Sequence, residues 1–376
     1  MDTASPYLLT PGPLTTSDTV KQAMLRDWGS RDATFIAMNH EMRERLTDLV
    51  GASATHVCVP LQGSGTFAIE ATISTLLPPS GHLLVLVNGA YGTRMVKIAR
   101  VMGRKVSSLE WREDEQVDPA SLDQRLSDDA SITHVAVVHC ETTSGILNPI
   151  DDVARVTTSH GRALIIDAMS TFGALALDAR RIDFTAVVAS SNKCLEGVPG
   201  VGFAILHRDT LETCTGNAHS LSLDLFDQWR GFETNGQWRF TPPTHVVAAF
   251  CQALDEHAKE GGVAARGARY ATNHQILVDG MEELGFRCLL PREVQAPIIV
   301  TFLEPADAHY KFEEFYERLR DHGFLIYPGK LTVADSFRIG CIGHLGEEQM
   351  RDAVEAVRAV VQEMGVANCG PSRIGR

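Results

Sequence analysis

Five short apolar runs constrain this chain more than any other feature: HLLVLVN at 82–88, THVAVVH at 133–139, ALIID at 163–167, TAVVA at 185–189 and GFAIL at 202–206. None alternates apolar with polar, so each reads as a strand covered on both faces, the habit of parallel sheets. Helix-length stretches lie between or before them, at 66–77, 92–102, 121–126 and 149–160, and Gly161 reads as the cap of the last. Such alternation specifies an α/β fold on a large, mostly parallel sheet. A long helix over 242–260 ends at Gly261-Gly262, and another runs over 263–284. Strand 297–302, helix 310–322, strand 337–342 and helix 346–364 then read as a smaller α+β C-terminal domain. The expected division is 15–268 for the large domain and 269–376 for the small one, with segment 1–14 packing against the latter. Residues 365–376 read as a loose tail.

Charge and cysteine usage narrow the function classes. Against 34 Lys and Arg stand 47 Asp and Glu, a formal charge of -13, so an extended phosphate backbone would be repelled and nucleic acid is not expected. A small anion is still compatible, since a few basic groups or a helix N-terminus suffice to hold one. Eight cysteines lie scattered without a C-x-x-C, which argues against a disulfide or zinc framework. No run approaches about 18 uninterrupted apolar residues, so no membrane span is expected. A cytoplasmic location fits this usage.

Three features carry the candidate chemistry. Gly63-Ser64-Gly65-Thr66 precedes a helix, and its amides and hydroxyls could hold a phosphate against the helix's positive end. It lacks the lysine of a Walker A loop, and a plain glycine turn with a serine cap remains open. Asp167 closes a buried strand, where a carboxylate needs a partner, a cavity or a capping role. Lys193 follows the strand 185–189 through Ser190-Ser191-Asn192, where a buried ammonium must lose its proton or be consumed covalently, unless it is solvated in a loop. The 26 residues from Asp167 to Lys193 leave room for one crossover, which would bring both to strand C-terminal ends, where open α/β sheets bind ligands.

The blocks QGSGT, NGAYGTRM, HCETTSG, IIDAMSTFG, SSNKCLEGVPG, SLSLDLFDQW, RFTPPTH and FRIGCIG follow one another in an order that resembles the class V aminotransferases of fold type I, from Leu8 to about Met364. The likeness is greatest to the members that move the amino group of 2-aminoethylphosphonate to pyruvate, giving phosphonoacetaldehyde and alanine. It implies pyridoxal 5′-phosphate as cofactor and a homodimer with active sites at the subunit interface. It further implies that Lys193 joins the cofactor's aldehyde as an imine, that Asp167 faces the pyridine nitrogen, and that Ser64, Gly65 and Thr66 cup the phosphate. Tyr91 stands where relatives carry a stacking tryptophan, Asn192 where many carry glutamine beside the phosphate, and Thr142 near the phenolic oxygen. Thr244 resembles a residue lent to the phosphate by the second subunit, with helix capping after Pro242-Pro243 as the alternative. Arg338 matches the arginine that grips the substrate's acidic group; an internal salt bridge is the alternative.

Other activities share such a frame: alanine:glyoxylate and serine:pyruvate transaminases, and pyridoxal phosphate lyases or cysteine desulfurases. A desulfurase needs a mobile cysteine near its substrate, which neither Cys341 nor Cys369 clearly offers. SLSLDLFDQW leans toward the phosphonate enzymes as a pattern, but the helical spacing of Leu221, Leu225 and Trp229 reads as packing.

Overall fold

The computed structural model describes residues 5–331 and 334–371. Its centre is a seven-stranded sheet made of β1 (His56–Gln62), β2 (His82–Val87), β3 (Lys105–Glu110), β4 (His134–Val138), β5 (Ala163–Asp167), β6 (Ala186–Ser190) and β7 (Val201–His207). Their spatial order is β1-β7-β6-β5-β4-β2-β3, and only β7 opposes its neighbours. The apolar runs have a direct cause. On β2, Leu84 and Leu86 enter one core layer while Leu83, Val85 and Val87 enter the other; on β5, Leu164 and Ile166 are parted from Ile165 in the same way. Both faces are covered by helices, so alternate positions are equally apolar. Each such side chain contributes roughly 1.5–3 kcal/mol on burial.

Two strands went unread in the sequence, and both lie at the sheet edges. β1 carries Pro60, which an edge strand tolerates because no outer ladder needs its missing amide hydrogen. β3, KVSSLE, is only partly buried and so lacks the apolar run that marked the central strands. The helices Ala33–Asp48 and Leu225–Asn235 were also not delimited. Leu225 and Trp229 pack into the core as expected of them, whereas Leu221 precedes the helix and is 72% exposed.

The smaller layer pairs Ile299–Leu303, Ser336–Gly340 and Tyr327–Pro328 as an antiparallel sheet under the helices Phe312–Asp321 and Glu347–Glu363. The expected boundary at 268/269 falls within the helix Gly262–Glu283, whose later residues Leu277, Val278 and Met281 join the core of this layer. Tyr7–Leu8 pairs in parallel with Phe324–Leu325, and Leu9 enters the same core. The tail reading needs correction as far as Pro371: Cys369 is buried, and the amides of Ala367 and Asn368 donate to Asp307, so this stretch is tied down. Residues 372–376 lie outside the described residues.

A buried ion network joins the two layers just past Lys193. Glu196 lies in a left-handed turn with φ +56°, its amide donating to the Lys193 carbonyl at 2.7 Å. Its Oε1 accepts from Arg269 at 2.7 Å and Tyr270 at 2.5 Å, and Arg266 lies 3.4 Å away. Arg266 in turn donates to the Cys194 carbonyl, and Arg269 to the carbonyls of Gly343 and Leu345. Burial pulls the Glu196 pKa up, but His344, Arg266 and Arg269 outweigh it and hold the value at about 2. This stabilisation is therefore complete above the ordinary carboxylate value and fades as the pH falls toward 2. Glu196→Gln should lower stability at pH 7 by about 3 kcal/mol in urea unfolding, with the gap narrowing below pH 4.5; a constant gap across that range would contradict the network's role.

Candidate active site

Loops leaving the C-terminal ends of β1, β2, β5 and β6 converge on one cavity of about 250 Å³. Ser64, Gly65 and Thr66 line one wall, at the N-terminus of the helix Gly65–Leu76. Ser64 occupies the capping position without making a capping hydrogen bond, which leaves its hydroxyl free for a ligand. The plain serine cap is thus absent. Opposite, Asp167 and Lys193 enter the same cavity, together with Asn192, whose Oδ1 accepts from Ser190.

Asp167 is 5% exposed. Its Oδ1 accepts from the Met169 amide at 3.0 Å, and no cation forms an ion pair with it among the described residues. Burial raises its pKa to about 6. Lys193 Nζ donates to the Pro11 carbonyl at 2.7 Å, and burial lowers its pKa to about 8. Gly12 makes this approach possible: with φ +121°, a Cβ there would stand 2.5 Å from Nζ. The N-terminal segment therefore closes directly over the lysine, which is not a solvated loop residue.

Tyr91 lines the cavity from the first turn of the helix Ala90–Val101. Gly89, at that helix's cap, has no side chain to serve the first amides, so Glu141 reaches across and accepts from Tyr91 at 3.0 Å and Gly92 at 3.3 Å. Burial raises the Glu141 pKa against these donors. One turn after Tyr91, Arg94 also lines the cavity, its guanidinium 4.8 Å over the Tyr91 ring and 3.2 Å from Thr66 Oγ1. Sequence reading missed both Arg94 and Glu141. The first had a signal, a basic residue three positions from Tyr91 on one helical face; the second had none without the tertiary fold.

Three expected residues do not line this cavity. Arg338 is 5% exposed and adjoins it: Nε donates to Pro328 at 3.1 Å and Nη1 to Thr142 at 2.8 Å, both carbonyls. No carboxylate pairs with it among the described residues, so the internal salt bridge is absent. Thr142 meets the site through that carbonyl. Thr244 is the first residue of the helix Thr244–Glu260, with Pro243 at the cap, and is not among the residues lining its own chain's cavity.

A helix N-terminus with a free hydroxyl and an arginine suits a phosphate. A buried carboxylate without a countercharge suits a protonated ring nitrogen, and an amine with depressed basicity suits an aldehyde. Together these residues fit pyridoxal phosphate. In cofactor-free protein the carboxylate is a burden: raised from 3.8 to about 6, it costs stability as the pH rises through that interval, on the order of 3 kcal/mol above it. Asp167→Asn should raise the thermal midpoint of the cofactor-free protein above pH 6 and converge with the parent near pH 4. An equal or lower midpoint at pH 8 would contradict this electrostatic assignment.

The family model for aminotransferase class-V matches residues 17–321. A protein of Burkholderia lata named 2-aminoethylphosphonate--pyruvate transaminase 2 is 56% identical over 363 residues, 96% of each chain. The 2-aminoethylphosphonate--pyruvate transaminase of Pseudomonas fluorescens is 54% identical over 366 residues, 97% of this chain and 99% of that one. Among solved structures, an alanine--glyoxylate aminotransferase from Nostoc superposes with a TM-score of 0.89 at 23% identity, covering 96% of each chain. The fold is that of fold-type I enzymes, and the chain belongs to the class V aminotransferases.

Proposed function

We propose that this chain is a pyridoxal phosphate-dependent transaminase that moves the amino group of 2-aminoethylphosphonate to pyruvate, a step of phosphonate catabolism. The observation that carries the reading is the meeting of Lys193 and Asp167 in one cavity walled by the helix N-terminus at Ser64–Thr66. The likeness to named phosphonate transaminases over nearly the whole chain supplies the substrates.

When bound, pyridoxal phosphate supplies an aldehyde to carry nitrogen and a ring to draw electrons from the neighbouring carbon. Ser64, Gly65, Thr66 and Arg94 bind the phosphate, while Tyr91 offers its ring as a stacking face. Asp167 holds a proton at the ring nitrogen. Lys193 Nζ, its basicity lowered by burial, would take the proton from the nitrogen-bearing carbon of 2-aminoethylphosphonate and deliver it to the carbon that had carried the cofactor's aldehyde; in the second half of the cycle it would move a proton from there to the corresponding carbon of alanine. Arg338 binds the acidic group of each substrate in turn, oriented by its two carbonyl contacts.

A homodimer is part of this reading. Phe67 is 51% exposed, Phe240 48% and Leu221 72%, and the first two line a groove of about 440 Å³ beside Gln62 and Gly63. Apolar surface so close to the phosphate cup is suited to a second subunit, which would bring a partner Thr244 to the site. No helix among the described residues is long and apolar enough to cross a membrane. Eight unpaired cysteines accord with a reducing cytoplasm. None of them lines the cavity, which disfavours a desulfurase.

Lys193→Ala should remove the visible absorbance of the lysine imine and reduce turnover at least about a hundredfold. Turnover near the parent's rate would refute its role. Arg338→Ala should raise KM for both 2-aminoethylphosphonate and pyruvate, by about tenfold or more; unchanged values in steady-state assays would exclude the gripping role.

A further inference from the structure

One guanidinium cannot by itself explain a preference for phosphonate over carboxylate. A carboxylate brings one negative charge. A phosphonate brings three oxygens and can carry a second negative charge, its second proton leaving at higher pH than that of a phosphate monoester (second pKa about 6) because carbon withdraws less charge than oxygen. The second charge needs its own partner in a partly desolvated site.

A second cation follows two residues after the short strand Tyr327–Pro328 that pairs with the strand of Arg338. Tyr327 is opposite Arg338 in the ladder, and Pro328 opposite Phe337. The chain then crosses tightly over Ser336 at Gly329, where a Cβ would stand 2.2 Å from the Ser336 carbonyl oxygen; the Gly329 amide donates to that oxygen at 2.7 Å. Only glycine fits this crossing. The next residue, Lys330, places Nζ 4.4 Å over the ring of Tyr91, a wall of the Lys193 cavity. No carboxylate forms an ion pair with Lys330 among the described residues. Lys193 registers both charges: after burial and the opposing influence of Cys194 and Asp167, Arg338 and Lys330 each lower its proton affinity. An acid group bound by Arg338 would thus lie within the field of a second, uncommitted ammonium.

We propose that Lys330 is a specificity-determining residue, its ammonium supplying the second positive charge that lets the site favour a phosphonate dianion over a carboxylate. This inference rests on the reading of the chain as a phosphonate transaminase. In a chain of net charge -13, a cationic pair left without acidic partners is matched to a ligand carrying more than one negative charge.

The test uses holoenzyme carrying Lys330→Met or Lys330→Arg. Each half-reaction is measured separately at alkaline pH, where the phosphonates are dianions, with 2-aminoethylphosphonate and with alanine, alongside competitive inhibition by ethylphosphonate and by propionate, which carry no amino group. Lys330→Met should raise KM for 2-aminoethylphosphonate and the inhibition constant of ethylphosphonate about tenfold or more, and shift the alanine and propionate values by less than about threefold. Lys330→Arg should recover most of the phosphonate affinity. Equal losses for phosphonate and carboxylate, or no loss for either, would overturn the assignment. The two readings fail separately: a parent enzyme that does not turn over 2-aminoethylphosphonate removes the function, whereas an active parent whose Lys330→Met variant keeps its preference removes only the role of Lys330.

Discussion

Burying an ammonium and a carboxylate at the ends of neighbouring parallel strands is the constraint on which this molecule turns. Both groups lose hydration, and both shift toward their neutral forms: Lys193 to about 8 and Asp167 to about 6. Such a pair persists only on a scaffold stiff enough to forbid escape to solvent. The β5–β6 ladder supplies that stiffness, with Asp167 opposite Val188 at the end of a run buried from Leu164 onward. Past Lys193, the turn through Glu196 is fastened by Arg266, Arg269 and Tyr270 from a helix shared by both layers. Instability in the empty site becomes affinity when a ligand supplies the missing countercharge.

Charge distribution follows the same logic. The surface is acidic overall, yet Arg94, Lys193, Lys330 and Arg338 gather around Tyr91 and its cavity. A helix N-terminus adds to the positive field. Anionic cofactor and anionic substrates are thereby drawn to one place on a molecule that repels polyanions elsewhere. Tyr91, offering one ring to Arg94 and Lys330, links the phosphate cup to the strand pair that carries Arg338.

The legible part of the fold was the part governed by two-sided burial. β2, β4, β5, β6 and β7 were readable because both faces of each are covered, and the spacing of Asp167 and Lys193 left room for one crossover between the strand ends that carry them. The edges were not: Pro60 and the polar KVSSLE run obey solvent and a single neighbour. Ser64, Asp167, Asn192 and Lys193 line one cavity. Arg94 and Lys330 escaped notice because a basic side chain ordinarily reads as solvated, and only tertiary placement over Tyr91 gives it another meaning. Glu141 caps a helix remote in sequence, a contact that no local pattern encodes.

The central claim is that this site accepts an amino group from a phosphonate donor and keeps it until a keto acid arrives. The most direct measurement mixes protein loaded with pyridoxal phosphate with 2-aminoethylphosphonate alone, and follows visible absorbance and phosphonoacetaldehyde together. The account predicts a bleach with about one product per site, then recovery of the absorbance and release of alanine when pyruvate is added. No bleach, or product that keeps accumulating without pyruvate, would contradict it.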